Sequence, residues 1–252
     1  MVDAARASGA HAAKFQLYRS DVFVDPRLPL GDGPPGSLSN FFRTFELDPS
    51  DWRRLAEHTR SCGLDFFCSV FDKPSLEFYP ELSPRLTKIA SCDINNRLLI
   101  DDSVRLGLPI LLSTGTADES EVERAVHWIG AHPLILFQCV SSYPARPEQY
   151  NLRVLPLWAE KYGVPMGLSD HCETNAVSFA SIALGACTIE KHFTLDQNLT
   201  GPDQKLSLDP AAFRALADGV RAVFESLGDG RKVCTGGEVP VRSGGRRSVV
   251  VN

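Results

Sequence analysis

With 252 residues, the chain can form one large domain or two small ones, and its length suits an α/β barrel, which typically needs about 250 residues. A composition of 43% hydrophobic and 23% charged residues is ordinary for a globular protein, and a net charge of −5 gives no reason to expect a nucleic-acid partner. The seven cysteines form no C-x-x-C pair, which predicts reduced thiols in a cytoplasmic protein, and no apolar stretch approaches the roughly 18 residues of a membrane span.

Short apolar runs alternate with amphipathic stretches along most of the chain, after an Ala-rich start that predicts a helix. Capping signals at Asp48-Pro49 and at Asp118 with Glu121 indicate the starts of two helices. Repeated βα units imply a parallel sheet, either open or closed as a barrel. The predicted strands are 10–17, 64–70, 86–91, 109–114, 134–140, 165–170 and 187–193. The predicted helices that follow are roughly 49–62, 75–82, 94–106, 118–131, 151–162, 174–185 and 209–227.

The order of the elements favours a barrel. Every later helix follows a strand, whereas the helix at the start has no strand before it. Adding one strand before that helix to the seven predicted ones gives eight strands. We therefore predict a (β/α)8 TIM barrel over residues 1–228 whose first strand is missing at the N-terminus. Residues 19–48, rich in Gly, Pro and Asp, are expected to form an irregular lid or mobile loop. Residues 229–252, which end in a strand-like Ser-Val-Val-Val, are expected to be a linker toward a further domain.

Polar residues fall at the carboxyl ends of the predicted strands, where the catalytic groups of a barrel gather. The lysines and hydroxyls among them can hold an anion such as a phosphate or carboxylate. Two imidazoles at successive strand ends suit a divalent transition metal, although two histidines are too few for a closed structural zinc site. These strand-end residues are Lys14, Gln16, Ser69, Phe71, Lys88, Ser91, Asp93, Ser113, Thr114, Ser141, Tyr143, Ser169, Asp170, His171, Glu190, Lys191 and His192.

Each of these features also has a purely structural interpretation. A single histidine at a strand end is more often hydrogen-bonded than bound to a metal. Lys14 and Lys88 can be solvated charges at the rim, although each interrupts an apolar run, and a buried lysine is costly unless it is paired. Ser113-Thr114-Gly115 and the segment 201–205 can be plain turns.

Several stretches together resemble the N-acetylneuraminate (sialic acid) synthase family, which includes the legionaminate, pseudaminate and spore-coat polysaccharide synthases. The pair Ser-Asp-His (169–171) and Glu-Lys-His-Phe (190–193), followed by Gly-Pro-Asp (201–203), is highly specific, and the resemblance covers essentially the whole chain. The other matching stretches are AAKFQ (12–16), KIASCDINN (88–96), LLSTGTADESEVERAV (111–126), QCVSSYPARPEQYNLRVLPLW (138–158) and RRSVVV (246–251).

The resemblance implies a metal-dependent condensation of phosphoenolpyruvate with the open-chain aldehyde of an N-acylated hexosamine, N-acetylmannosamine or a relative. The products are a nine-carbon 2-keto sugar acid and phosphate. His171 and His192 would ligate Mn²⁺ or Mg²⁺, and they would be catalytic together with Glu190 and Lys88. Phosphoenolpyruvate would contact Lys14, Ser69, Lys88, Ser91, Ser141 and Ser169. The sugar would contact Gln16, Phe71, Asp93, Tyr143 and Asp203, with Glu190 nearby. The full-length family form is expected to be a homodimer.

The chain departs from the family pattern at several points. The Glu-Ile-Gly-x-Asn-His-x-Gly motif of the family's first strand is absent, and so is its C-terminal antifreeze-like domain. Ser141 stands where the family usually has Asn, Ser69-Val70-Phe71 replaces a Thr-Pro-Phe or Ser-Pro-Phe, and Asp93 stands where Glu is also common.

Two other functions remain open from the sequence. The first is a Schiff-base aldolase on the same fold that uses Lys88 or Lys191 to form an imine with pyruvate. The second is a fragment or inactive relative, poorly active and prone to aggregation, because a barrel without one strand exposes two edges, at 10–17 and 187–193.

Overall fold

A computed structural model of the chain describes residues 1–247 and contains one sheet of seven parallel strands. Each strand pairs with the next one in sequence, which gives the sheet order β1 to β7. The strands are β1 (Ala12–Leu17), β2 (Asp65–Val70), β3 (Thr87–Ile89), β4 (Ile110–Ser113), β5 (Leu134–Cys139), β6 (Met166–Asp170) and β7 (Ala186–Lys191). All seven predicted strands are therefore confirmed, whereas the strand-like segment at 248–251 lies outside the described residues.

The sheet is curled as in a TIM barrel. Seven flat strands spaced by about 4.8 Å would place β1 and β7 about 29 Å apart, which is more than two side chains can span. Nevertheless, Lys14 Nζ on β1 lies 3.3 Å from Glu190 Oε1 on β7. The barrel-like α/β fold is thus confirmed, but β1 and β7 do not pair with each other in the described part of the chain, and a seam separates them.

Helices cover the outer side of the sheet between successive strands. Those of residues 1–247 are α1 (Val2–Ala7), α2 (Ser20–Phe23), α3 (Ser37–Arg43), α4 (Pro49–Ser61), α5 (Lys73–Phe78), α6 (Arg97–Arg105), α7 (Glu119–Ile129), α8 (Val154–Tyr162), α9 (Ala176–Ala183), α10 (Pro210–Leu227) and α11 (Val239–Gly245). The predicted helix at 75–82 consists of the end of α5 and a 3₁₀ turn, Tyr79–Leu82. The other predicted helices are present within a few residues of their expected bounds.

Of the two capping signals predicted from the sequence, one makes capping hydrogen bonds in the structure and the other does not. The Asp118 side chain accepts a hydrogen bond from the Glu121 N–H, and Glu121 accepts one from the Asp118 N–H, each at 2.9 Å. This capping box satisfies two amide groups that the first turn of α7 leaves without helical partners. Asp48 also precedes a helix, but its side chain makes no capping hydrogen bond, and Pro49 at the first position of α4 supplies the start instead.

The main core lies between the sheet and its helices. On β4, Ile110 and Leu112 belong to this outer core, while Leu111 between them packs with Phe67 and Phe137 inside the curl. The alternation follows from the two-residue period of a strand. Because helices cover one face and the curl encloses the other, the central strands are apolar on both faces.

The segment 19–48 is more ordered than a lid without secondary structure, because it contains α2 and α3. Its aromatic rings pack on the end of β1 and on Phe71: Phe23 lies 4.9 Å from the Phe71 ring and 5.0 Å from the Phe42 ring. The Tyr18 hydroxyl donates to the Phe42 carbonyl at 3.0 Å. The prediction of an irregular connection is therefore wrong for these two helices. Within 229–247, the described part of the expected linker contains α11.

Candidate active site

Two lysines and a glutamate meet inside the curl. Glu190 on β7 lies between Lys14 on β1 (3.3 Å) and Lys88 on β3 (3.5 Å). Lys88 Nζ also donates to the Ser113 hydroxyl of β4 at 2.6 Å. Four strands thus contribute to one polar cluster, and the side chain of Lys88 is only 3% exposed. Both lysines are therefore paired with a carboxylate inside the curl, and neither is a solvated charge at the rim.

The cluster sets the protonation of its members. Burial by itself raises the pKa of Glu190, but the charges of Lys14 and Lys88 together outweigh burial and lower that pKa to about 2. Burial lowers the pKa of Lys88, and the charge of Glu190 opposes this effect. The Oε2 atom of Glu190 is buried and accepts no hydrogen bond within residues 1–247. Its contact there is the ion pair with Lys88 Nζ at 3.5 Å, so this oxygen can still accept a hydrogen bond from a substrate group.

The two histidines lie side by side above this cluster. The rings of His171, after β6, and His192, after β7, are 5.3 Å apart between centroids. Burial lowers the pKa of both imidazoles, that of His192 to about 4. Both rings are consequently neutral near pH 7, which is the protonation state that can ligate a metal.

A buried network orients His171. The Tyr150 hydroxyl donates to Asp170 Oδ1 at 2.8 Å and accepts the His171 N–H at 2.7 Å. Asp170 also accepts the hydroxyl of Ser178, and its Oδ2 lies 3.0 Å from Lys191 Nζ. With both of its oxygens engaged, Asp170 holds the end of β6 in place. Tyr150 and Ser178 were not predicted as site residues, because their contacts with Asp170 join distant parts of the sequence.

Two of the predicted anion-holding serines converge on a glycine. A Cβ atom at Gly115 would lie 2.2 Å from Ser141 Oγ and 2.8 Å from Ser91 Oγ, so a side chain there would displace both hydroxyls. The Gly115 N–H donates to Ser91 Oγ at 2.9 Å. The turn after β4 is thus shaped so that hydroxyls approach the backbone closely. This observation favours a small-group pocket over a plain turn, and Gly115 joins the candidate residues.

The remaining predicted anion-holding residues lie on neighbouring strands. Ser69 on β2 stands beside Lys88 in the sheet register, and Ser169 on β6 stands beside Glu190. Both serines are buried. Their strand positions place them among the charged cluster.

The predicted sugar-contacting residues are less concentrated. The Tyr143 ring lies 4.3 Å from that of His171, and Asp203 Oδ2 lies 3.6 Å from His192 Nδ1, so both border the imidazoles. Phe71 instead packs in the aromatic cluster with Phe23. Asp93 accepts from the Asn96 amide at 3.0 Å, and burial raises its pKa. Gln16, at the end of β1, is exposed.

The histidine pair suits a divalent metal. The Nδ1 atom of His171 lies 2.7 Å from the Val140 carbonyl, the kind of contact that fixes the tautomer and leaves Nε2 free for a metal. Among residues 1–247, the two histidines and a third His, Cys, Asp or Glu do not form a group whose ligand atoms all lie within 4.8 Å of one another. Two imidazoles leave most coordination positions to oxygen ligands, and hard ions such as Mn²⁺ and Mg²⁺ prefer oxygen.

An α/β barrel-like sheet with paired lysines and neutral imidazoles at the carboxyl ends of its strands defines an enzyme site of the TIM-barrel type. Residues 1–232 match the model of the NeuB family. The chain belongs to this family of sialic, legionaminic and pseudaminic acid synthases, which are phosphoenolpyruvate-condensing, carbon–carbon bond-forming transferases.

Known relatives agree with this assignment. The N,N'-diacetyllegionaminic acid synthase of Legionella pneumophila is 33% identical over 100% of this chain and 74% of its own length. The spore coat polysaccharide biosynthesis protein SpsE of Bacillus subtilis is 35% identical over 91% of this chain and 64% of its own. The crystal structure of a Leptospira borgpetersenii N-acetylneuraminic acid synthetase in complex with citrate superimposes with a TM-score of 0.85 at 33% identity, over 96% of this chain and 83% of that one.

None of the helices in residues 1–247 has the length and apolar character that crossing a membrane requires.

Proposed function

We propose that this chain condenses phosphoenolpyruvate with the open-chain aldehyde of an N-acylated hexosamine, giving a nine-carbon 2-keto sugar acid and phosphate. The observation that carries the proposal is the meeting of Lys14, Lys88 and Glu190 inside the curl, next to the pair His171 and His192. The cluster supplies anion-holding cations and a carboxylate, and the histidines supply a metal site. Cytoplasmic location and a homodimer remain predictions.

Phosphoenolpyruvate is the substrate that suits the inner cluster. Its carboxylate and phosphate need cations and hydroxyl donors, and the described residues bring Lys14, Lys88 and Ser113 within one cluster. Ser91 and Ser141 beside Gly115 provide a second group of hydroxyls that can donate to an anionic oxygen. Charge-assisted contacts of this kind fix the orientation of the enol carbon, which makes them positioning elements for the condensation.

The aldehyde would approach from the side of the imidazoles. Mn²⁺ or Mg²⁺ held by His171 and His192 supplies Lewis-acid polarisation of a carbonyl oxygen when bound. Tyr143 and Asp203 border the same side and can contact sugar hydroxyls. Glu190, ionised because of its two lysines, can accept a hydrogen bond from a substrate hydroxyl or a water and so orient it, whereas its lowered pKa makes it a weak base.

Phosphate release from phosphoenolpyruvate tests the proposal. We expect release only with both an N-acylhexosamine and Mn²⁺ or Mg²⁺ present, measured over a panel that includes N-acetylmannosamine and its dideoxy relatives. Release without a sugar acceptor, or the same rate in the presence of a chelator, would contradict the metal-dependent condensation.

A Schiff-base aldolase is the second candidate, and one observation favours it. Burial lowers the pKa of Lys88, as the nucleophilic amine of such an enzyme requires. Lys191 suits the role less well, because it pairs with Asp170 and also donates to the Cys172 carbonyl. Borohydride reduction with pyruvate separates the two candidates: the condensation predicts no covalent adduct, and an adduct on Lys88 establishes the imine.

A further inference from the structure

A second group of metal-ligand side chains lies away from the candidate active site. Asp3 on α1 meets His58, in the last turn of α4, and Cys62, the residue that caps α4. Cys62 precedes β2, so the group lies at the amino end of the strand, whereas His171 and His192 follow the carboxyl ends of theirs. In residues 1–247, it is the one set of three such residues whose ligand atoms all lie within 4.8 Å of one another.

The spacing of the three donor groups, with both carboxylate oxygens of Asp3 in contact, is close to that of a tetrahedral zinc centre. His58 Nε2 is 3.1 Å from Asp3 Oδ2, Cys62 Sγ is 3.5 Å from Asp3 Oδ1, and Cys62 Sγ is 3.6 Å from His58 Nε2. Zinc bonds of about 2.3 Å to sulfur and about 2.0–2.2 Å to nitrogen and oxygen, at tetrahedral angles, separate the donors by about 3.3–3.6 Å. One ligand atom from each residue already lies within 4.8 Å of the others, and a shift of the exposed Asp3 carboxylate brings one oxygen toward both the imidazole and the thiol.

The backbone supports this arrangement. His58 and Cys62 are four residues apart, a spacing that places side chains on one face of a helix. Asp3 is brought to them because Val2 and Ala5 of α1 share an apolar cluster with Leu64, against which Leu55 of α4 packs. One side of the site also remains open, since His58 lines a cavity of about 650 Å³ together with Asp51, Arg54, Leu55, Glu57 and Ser61.

A simpler interpretation is a hydrogen-bonded surface pair. His58 and Asp3 are 49% and 73% exposed, and an exposed pair contributes only about 0–1 kcal/mol. A pair of that kind needs no third partner, yet the Cys62 thiol contacts both residues. A thiolate beside an imidazole selects zinc-like ions over Mg²⁺ or Mn²⁺, which prefer oxygen ligands.

We propose that Asp3, His58 and Cys62 form a second metal site of this chain, specific for Zn²⁺ or a similar thiophilic ion. Cys62 binds as the thiolate and releases its proton to solvent, and a water completes the tetrahedron on the cavity side. The ion joins α1 to α4 and thereby stabilises the start of the described fold. This proposal is independent of the condensation reaction, because it involves none of the active-site residues.

Cobalt(II) spectroscopy on the full, reduced chain tests the proposal, since a cobalt–thiolate bond gives a charge-transfer band that Asp and His ligands cannot produce. We expect two equivalents of Co²⁺ to produce the band, because His171 and His192 can take up one of them, and two equivalents of Zn²⁺ to remove it. In Cys62→Ser the band should be absent and the affinity should fall by more than about 100-fold, beyond the 10–100-fold that losing a neighbour of a ligand costs.

Two further variants make the result specific. His58→Ala should also abolish the band although its thiol is intact, whereas Cys187→Ser, which removes an exposed thiol on β7, should keep it. Circular dichroism checks that each variant is folded. The proposal is overturned if the folded wild-type chain gives no thiolate band at two equivalents, or if the band survives in Cys62→Ser or in His58→Ala.

Discussion

Strands β3, β4 and β6 are buried at every residue, whereas β1 is buried only at Leu17 and β7 only at Ala186. The difference follows from pairing: each central strand has a neighbour on both sides, while β1 and β7 have one. Free strand edges leave backbone groups without partners and are hazards for association. We call the central strands β2 to β6, which pair on both sides, the closed wall, and the edge strands β1 and β7 the open flank.

The candidate active site is built across both regions. Lys88 and His171 come from the closed wall, and Lys14 and Glu190 come from the open flank. The inward charges of the open flank neutralise each other, and their ion pair draws β1 toward β7. The Lys14–Glu190 ion pair thus bridges β1 and β7, which share no backbone hydrogen bonds in the described residues. The following predictions test this comparison.

The largest effect is expected at the histidines. His171→Ala and His192→Ala should each abolish metal-dependent phosphate release, although one follows the closed wall and the other the open flank, because one ion needs both rings. Phosphate release with Mn²⁺, together with thermal melting, measures the effect. Tyr143→Phe, which keeps the ring beside His171, is the control and should retain the Mn²⁺ requirement. Full Mn²⁺-dependent activity in either alanine variant would exclude the histidine pair as the metal site.

The next effect concerns the charge that joins the two regions. Glu190→Gln leaves Lys14 and Lys88 without their counter-charge and should lower the free energy of unfolding by about 3 kcal/mol, the lower end for a broken buried pair. Denaturant unfolding measures the change in a metal-free buffer. The exposed residue Glu160 offers a matched control, and Glu160→Gln should change the stability by less than about 0.5 kcal/mol. Equal stabilities of the two variants would mean that the ion pair does not hold the flank.

The same carboxylate predicts a pH dependence. Its folded pKa, about 2, lies below the usual value of 4.5, so the unfolded chain binds its proton first as the pH falls. The stability from Glu190 is complete above pH 4.5 and is lost as the pH falls toward 2. Unfolding measured across this window should show a smaller acid loss in Glu190→Gln than in the wild-type chain. An identical pH dependence would contradict the depressed pKa.

A smaller effect is expected at Lys88, on strand β3 of the closed wall. Lys88→Ala should raise the KM for phosphoenolpyruvate, but not that for the sugar, because it removes a charge-assisted contact of about 1.5–3 kcal/mol. This corresponds to about 10- to 150-fold. The ratio of the two KM values is informative even if some protein unfolds. Lys161→Ala on the surface of α8 is the control and should leave both values unchanged. An unchanged KM for phosphoenolpyruvate would remove Lys88 from the substrate site.

The smallest effect compares two thiols directly. Cys68 on β2 is fully buried in the closed wall, and Cys187 on β7 is exposed on the open flank. Cys68→Ser should cost about 1–3 kcal/mol because it buries a hydroxyl in an apolar cluster, whereas Cys187→Ser should stay within about 0.5 kcal/mol. Urea unfolding of both variants gives the two values. A cost at Cys187 equal to that at Cys68 would show that β7 is covered after all.

Secondary-structure elements that depend on near neighbours in the chain could be predicted from the sequence. The strands, most helices and the capping box of α7 follow from hydrophobic period and from side chains that bond their own backbone neighbours. The placement of His171 and His192 at adjacent strand ends was also predictable, because parallel βα units bring successive carboxyl ends together. Within 19–48, the composition was misleading, since Phe23 of α2 packs on Phe71, which lies outside that segment, and Phe42 of α3 packs on Phe23.

The pairing of the charged side chains, in contrast, depends on the tertiary structure. Glu190 could have paired with any of several lysines, and the curl of the sheet selects Lys14 and Lys88 from strands distant in sequence. The packing of Tyr150 against β6 and of α1 against α4 also cannot be predicted from local sequence patterns, because these contacts join distant parts of the chain. Hydrophobic periodicity states which face of an element is buried, but the partner across that face depends on how all the elements pack together.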